Sequence, residues 1–299
     1  MEEQMDIFDL LYQPIKVTKP IRLIELFAGY GSQAMALKRI GAKFEHYKVV
    51  EFDRYAVDSY NAVHGTNFKP TDITKVHAND LDIVDTKTFT YLLTYSFPCT
   101  DLSLAGEQKG MSKGSGTRSG LLWEVERILQ EIVNNNLELP QILFMENVTQ
   151  VHNDKNINDF MEWISFLEKL GYKNYWQDLN AKDYGIPQSR NRTFMFSFLG
   201  NYNYKFPPKI ELKTVMKDYL EDEVEEKYYI NNEKSTKLIE TLIDNGTLPN
   251  TIPTDSVCVD ASICCPRRRE VANCITARYD LGISNKQGYG VGVIEWKKK

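Results

Sequence analysis

The chain has 299 residues, is 42% hydrophobic and carries a formal charge of −5; it can build a real core, and its surface is not basic throughout, so any nucleic-acid contact has to be local. No apolar run approaches the roughly 20 residues that cross a bilayer, and the opening MEEQMDIFDLLYQ is acidic and lacks a signal-peptide pattern. A cytoplasmic protein with no membrane partner is expected. Of the five cysteines, one is Cys99 and the rest lie beyond residue 257 without CxxC or Cys/His spacing, so neither a metal site nor a disulfide framework is expected.

In chain order, IRLIELFA reads as a strand, SQAMALKRIGA as a helix, KFEHYKVVEF as a strand and RYAVDSYNAVHG as a helix. Then come the strand YLLTYSF, the helix LLWEVERILQEIVNNN, the strand QILFMENV, the helix INDFMEWISFLEKLGY, and the strands KNYWQDLNA and NRTFMFSFL. Strand and helix alternating at this spacing predict an α/β, doubly wound, parallel sheet with helices on both faces. Past residue 200 the texture changes to an acidic helical stretch, DYLEDEVEEKYY, and short turn-rich pieces. The expected organisation is a domain over 1–200 and a smaller one over 201–299.

IELFAGYGS runs a buried strand into Gly29 and Gly31 and a helix from about Ser32. Glycines at such a turn let a ligand approach the backbone, although a plain tight turn fits the residues equally well without a third glycine. VVEFD places Glu51 at the end of the second strand, where an acid can accept from ribose hydroxyls, with Phe52 beside it to stack on a base. TDIT, read as a third strand position, offers Asp72 for an exocyclic amine and Ile73 as an apolar wall. Together these describe an adenosine pocket, and without a GxxxxGK[ST] phosphate cradle it suits S-adenosylmethionine better than ATP. Methyl transfer is the implied chemistry.

SFPCT ends a strand in Pro98, whose ring fixes the chain direction and so aims Cys99; the ordinary alternative is a small buried hydrophobe. LFMENVT ends another strand in Glu146, either a strand-end cap or a carboxyl held partly dry as an acid. YGIPQSRNRTFMF alternates Gln188, Arg190 and Arg192 before a strand, so that all three side chains would share one face, where arginine forks can grip an anion or a base oxygen. The glycine- and serine-rich stretch EQKGMSKGSGTRSG after the cysteine reads as too flexible for a fixed element.

In this order and spacing, the motifs across residues 20–200 resemble the cytosine-5 DNA methyltransferases of prokaryotic and phage type. The resemblance implies a Rossmann-like, S-adenosylmethionine-dependent sheet with a smaller target-recognition domain. It implies cofactor contacts by Phe27, Gly29, Gly31, Glu51, Phe52, Asp72, Ile73, Pro98 and Leu121 (or Leu122), the leucine from RSGLLWEVERIL. It makes Cys99 the nucleophile on cytosine carbon 6 and Glu146 the acid at ring nitrogen 3, with Asn147 bracing the loop. Arg192 is expected to orient the base or Glu146, and Arg190 or Arg192 to help ionise the thiol. A base inside a duplex has to be flipped out for this chemistry.

The matching family loop, residues 107–120, closes over double-stranded DNA, which gives Lys109, Lys113 and Arg118 as DNA contacts, and Ser103 and Gln188 are expected to contact DNA as well. In CCPRRREVANCITARYDLGISN, Arg267, Arg268, Arg269 and Arg278 form a local basic cluster, and Thr276 resembles a residue packing against the flipped nucleotide. The family's closing Arg-Leu-Gln-Gly-Phe-Pro-like and Gly-Asn-Ser-like helices are not seen before GVIEWKKK. A second polypeptide supplying them, a noncatalytic DNA-binding subunit, and an RNA cytosine methyltransferase are therefore the alternatives to an enzyme complete in one chain.

Overall fold

The computed structural model describes residues 13–14, 16–99, 101–102, 110–114, 116–249, 256–260, 267–274 and 291–294. Contacts divide it into two compact units, one of residues 1–178 and 192–206, the other of residues 179–191 and 207–299.

The first unit is built on β1 (Ile21–Leu26), α1 (Ser32–Arg39), β2 (Phe44–Val50), α2 (Arg54–His64), β3 (Thr90–Tyr95), α3 (Leu122–Asn134), β4 (Ile142–Asn147), α4 (Ile157–Lys169), β5 (Tyr172–Asn180) and β6 (Asn191–Leu199). Its six strands lie in the order β2-β1-β3-β4-β6-β5. The pairs β2·β1, β1·β3 and β3·β4 are parallel, as the alternation predicts. Strand β6 departs from the expected all-parallel sheet and runs antiparallel to β4. The reason lies in the connection: β5 and β6 are joined by residues of the second unit with no α-helix among them, and a parallel return needs a crossover, usually helical.

Apolar residues recur in α3 at Leu122, Val125, Ile128, Leu129 and Ile132, all buried, so one stripe of this helix faces the sheet. With the fully buried strand residues Leu93 and Leu143 and the side chains of α4, they form the main core. On the opposite sheet face Leu23, Leu92, Ile142 and Phe198 pack in a second cluster.

In the second unit, α5 (Glu233–Asp244), β7 (Val257–Asp260) and β8 (Val291–Ile294) share a small core of Leu242, Leu248, Val257, Val259 and Ile294. Strand β7 pairs antiparallel with β8 and with the two-residue strand Arg267–Arg268. The acidic stretch before it forms short 3-10 turns rather than the expected helix, because its crowded carboxylates supply no apolar stripe to bury.

Candidate active site

The sheet order reverses at β1, with β2 on one side and β3 on the other, and in open α/β sheets a ligand crevice forms outside the strand carboxyl ends at such a point. The loops after β1 and β3 therefore lie side by side, and Gln33 Nε2 donates to Ser96 Oγ across them at 3.0 Å.

The glycine turn leaves β1 through three left-handed residues, Phe27 (φ 57), Gly29 (φ 55) and Gly31 (φ 83). Phe27 lacks glycine's freedom and holds this conformation because its N–H is tied to the Val50 carbonyl at 2.8 Å. A methyl group on Gly29 would meet nothing within 4 Å, whereas one on Gly31 would stand 2.3 Å from His64 Nε2. The first glycine faces open space and the second is packed against α2. Glu51 directly follows β2 and grips the turn: its Oε2 accepts from the Gly29 N–H and its Oε1 from the Asp53 N–H, both at 2.9 Å. Phe52 is 75% exposed beside it.

Asp72 and Ile73 are not on a strand, contrary to expectation. Asp72 caps a one-turn 3-10 helix, Ile73–Lys75, taking hydrogen bonds from Thr74 N at 3.0 Å and Thr74 Oγ1 at 2.8 Å, and these bonds hold its carboxyl below the usual range. A short polar side chain followed by a threonine favours such a turn over a strand. The segment still reaches the site, since Thr71 N–H donates to the Glu51 carbonyl at 2.7 Å. Ile73 is buried. Of the two candidate leucines, Leu122 is fully buried and Leu121 half-buried against the core.

The SFPC loop is held through its carbonyls. Asn147 Nδ2 donates to the Phe97 carbonyl at 3.0 Å, and Ser119 Oγ donates to the Pro98 carbonyl at 2.7 Å. Ser119 N–H in turn donates to Asp101 Oδ2 at 3.2 Å. Asn147 and Ser119 are both buried. Cys99 carries a half-buried thiol outside any disulfide. Ser119 and Asp101 were not anticipated from the sequence; a small hydroxyl opening a 3-10 helix is the only signal they leave.

Tyr95 of β3 is in register with Met145 of β4, and the next residue, Glu146, forms an ion pair with Arg192 Nε at 3.1 Å. These side chains are 23% and 17% exposed. The run Gln188–Arg192 does not alternate in the regular way expected: Arg190 N–H turns back to the Gln188 carbonyl at 3.0 Å. Gln188 sits in a two-residue strand parallel to Ala272–Asn273, and Arg190 Nη1 points to Cys274 Sγ at 3.6 Å, all within the second unit. Arg192 alone of the three lies in the unit that holds Glu146.

The described part of the loop after Cys99 is docked on the first unit. Met111 is fully buried, its carbonyl takes the Trp123 indole N–H at 2.7 Å, and Gly110 N–H bonds to the Asp101 carbonyl at 3.0 Å. One apolar side chain amid glycines is enough to anchor it. Lys113 pairs with Glu126 at 2.6 Å, and Arg118 is exposed. In the second unit, the backbones of Arg267 and Arg268 pair with β7, the Arg268 side chain is exposed, and Arg269 bonds to Asn273. Ser103, Lys109, Thr276 and Arg278 lie outside the described residues.

A family model described as C-5 cytosine-specific DNA methylase matches residues 21–282. The chain belongs to that family. Similar proteins include the type II methyltransferase M2.ScrFI of Lactococcus lactis subsp. cremoris, 35% identical, with 71% of each chain covered. The orphan methyltransferase M.SssI of Spiroplasma monobiae is 33% identical over 72% of this chain and 68% of its own. The crystal structure of S. pombe Dnmt2 methyltransferase has the same fold, with a TM-score of 0.58 at 22% identity, covering 90% of this chain and 75% of that one.

C-5 cytosine methylases use S-adenosylmethionine, and the residues present fit it. The turn at Gly29 is open to close approach, the Glu51 oxygens keep lone pairs beyond the two backbone bonds they accept, and the exposed Phe52 ring is available for stacking. Among the described residues no cluster of side chains could hold a metal ion and no helix is long and apolar enough to cross a membrane.

Proposed function

We propose that this cytosine-5 DNA methyltransferase acts on a flipped cytosine in duplex DNA through a covalent adduct at Cys99. The observation that carries the reading is the loop bearing Cys99, clamped by Asn147 and Ser119 on a strand whose neighbours carry the glycine turn on one side and Glu146 on the other.

The Cys99 thiolate adds to carbon 6 while Glu146 gives a proton to ring nitrogen 3, so that the ring becomes an enamine nucleophilic at carbon 5. S-Adenosylmethionine supplies an electrophilic methyl group at a sulfonium centre. Arg192 keeps Glu146 directed at the base, and the fixed carbonyls of Phe97 and Pro98 keep the sulfur directed at carbon 6. After transfer a base takes the carbon 5 proton, the carbon 6–sulfur bond breaks to return the thiolate, and the proton on ring nitrogen 3 goes back to Glu146. Gly29, Gly31, Glu51, Phe52 and Asp72 hold the donor, with Phe27, Ile73, Pro98 and Leu121 as apolar neighbours. Lys113, Arg118, Gln188, Arg268 and Arg269 contact DNA, in a modification role of the restriction-modification type. Residues 1–200 form the catalytic domain and 201–299 the target-recognition domain.

The test is a duplex containing 5-fluorocytosine, in which fluorine replaces the proton that must leave. A denaturation-resistant protein–DNA adduct that requires S-adenosylmethionine is expected, and Cys99→Ala should not form it. Methyl transfer by Cys99→Ala would refute the assignment. Parallel arms with single-stranded RNA and with an added polypeptide carrying the closing helices test the substrate and partner alternatives.

A further inference from the structure

Asp178 is the last residue of the first unit before the chain leaves for residues 179–191, and Arg192 is the residue at which it returns. The two ends are joined: Thr193 Oγ1 donates to Asp178 Oδ1 at 2.6 Å. His152 Nε2 lies 3.0 and 3.1 Å from the two Asp178 oxygens, and its ring rests against Trp176 at 4.9 Å between centroids. His152 ends the one-turn 3-10 helix that follows Glu146 and Asn147. One carboxylate thus ties together the end of β5, the start of β6 and the segment after β4.

Thr193 is opposite Asn147 in the β4·β6 register, and Glu146 is opposite Phe194. Side chains alternate across a strand, so Thr193 anchors β6 on one sheet face while Arg192 reaches Glu146 on the other. Thr193 is fully buried, whereas Asp178 is 41% exposed, and a polar contact that open to water adds little stability. What it does supply is direction, because a strand end pinned on one face cannot rotate its neighbour away on the other.

We infer that His152, Asp178 and Thr193 form a positioning clasp that holds Arg192 onto Glu146 and so serves the chemical step rather than the binding of donor or DNA. The inference rests on the reading of Glu146 as the acid at ring nitrogen 3.

Two measurements on the full chain test it. The first follows exchange of the Arg192 Nε–H by NMR, which needs no turnover. Exchange in Thr193→Val and Asp178→Ala should rise about tenfold toward the rate in Glu146→Gln, while Thr193→Ser, which keeps the hydroxyl, stays at the wild-type rate. The second is methyl transfer, where the same two variants should lower kcat about tenfold with KM for DNA and donor within about twofold, again with rescue in Thr193→Ser. Thr193→Val preserves side-chain volume, which keeps the test open if Asp178→Ala fails to fold. Unchanged Arg192 exchange in Thr193→Val, or an effect on KM alone, overturns the clasp. Wild-type transfer by Glu146→Gln would instead sink the functional reading and leave the exchange result standing.

Discussion

Glu25 of β1 is fully buried, and burial pushes its carboxyl up to about 7 against the opposing hydrogen bond from Tyr60, which donates at 2.5 Å. A carboxyl with a raised folded-state pKa holds its proton longer folded than unfolded, so stability is full below the unfolded value near 4.5 and falls as pH rises toward 7. The loss amounts to at most about 3 kcal/mol. Glu25→Gln should remove this slope, with urea unfolding at pH 5 and pH 8 giving more nearly equal stabilities than in the wild type. Asn147 gives a second prediction at this scale. Asn147→Ala strips the Phe97 carbonyl of its buried donor, and a loss of about 1–3 kcal/mol in stability is expected, together with slower adduct formation on 5-fluorocytosine DNA. Adduct formation at the wild-type rate would show that the clamp does not aim the sulfur.

At the scale of elements, the turn between β1 and α1 is where packing and ligand access meet. Gly31→Ala forces a methyl group into His64 and Tyr60 at a left-handed backbone position, so a loss of at least about 1–2 kcal/mol is expected. Gly29 meets no such neighbour, and there a larger side chain should cost donor affinity more than it costs stability; calorimetric titration of each variant with S-adenosylmethionine separates the two. Helix α3 supports the same site from below. Arg127 pairs with Glu124 and Glu131 and donates to the carbonyls of Ile73 and Val76 at 3.2 and 2.8 Å, so the turn carrying Asp72 is fastened to the helix. Truncating Ile128 in its buried stripe to Ala should cost about 2–5 kcal/mol, read from the denaturation midpoint.

For the whole molecule, a net charge of −5 means that DNA affinity has to come from a few local cations rather than a general field. Arg268→Ala should weaken binding similarly across sequences and reduce the slope of log affinity against log salt by about one. An unchanged slope would remove Arg268 from the phosphate contacts.

The alternation of strand and helix, the glycine turn, and the positions of Cys99 and Glu146 at strand ends were legible in the sequence, because periodicities of 2 and 3.6 and the backbone preferences of glycine and proline act over a few residues. The antiparallel β6, the 3-10 turn at Asp72, the docking of Met111, the Ser119 clamp, and the separation of Arg190 from Arg192 were not. The Asp72 turn rests on hydrogen bonds two residues away that compete with the strand pattern; the others depend on which distant segment lies alongside. Sheet order brings Asn147 to Phe97 and Arg192 to Glu146, and contacts so far apart in the chain leave no local pattern. The sequence by itself determined the main strands and helices of the first unit and where Cys99 and Glu146 sit along them; tertiary structure alone decided which partners hold those side chains.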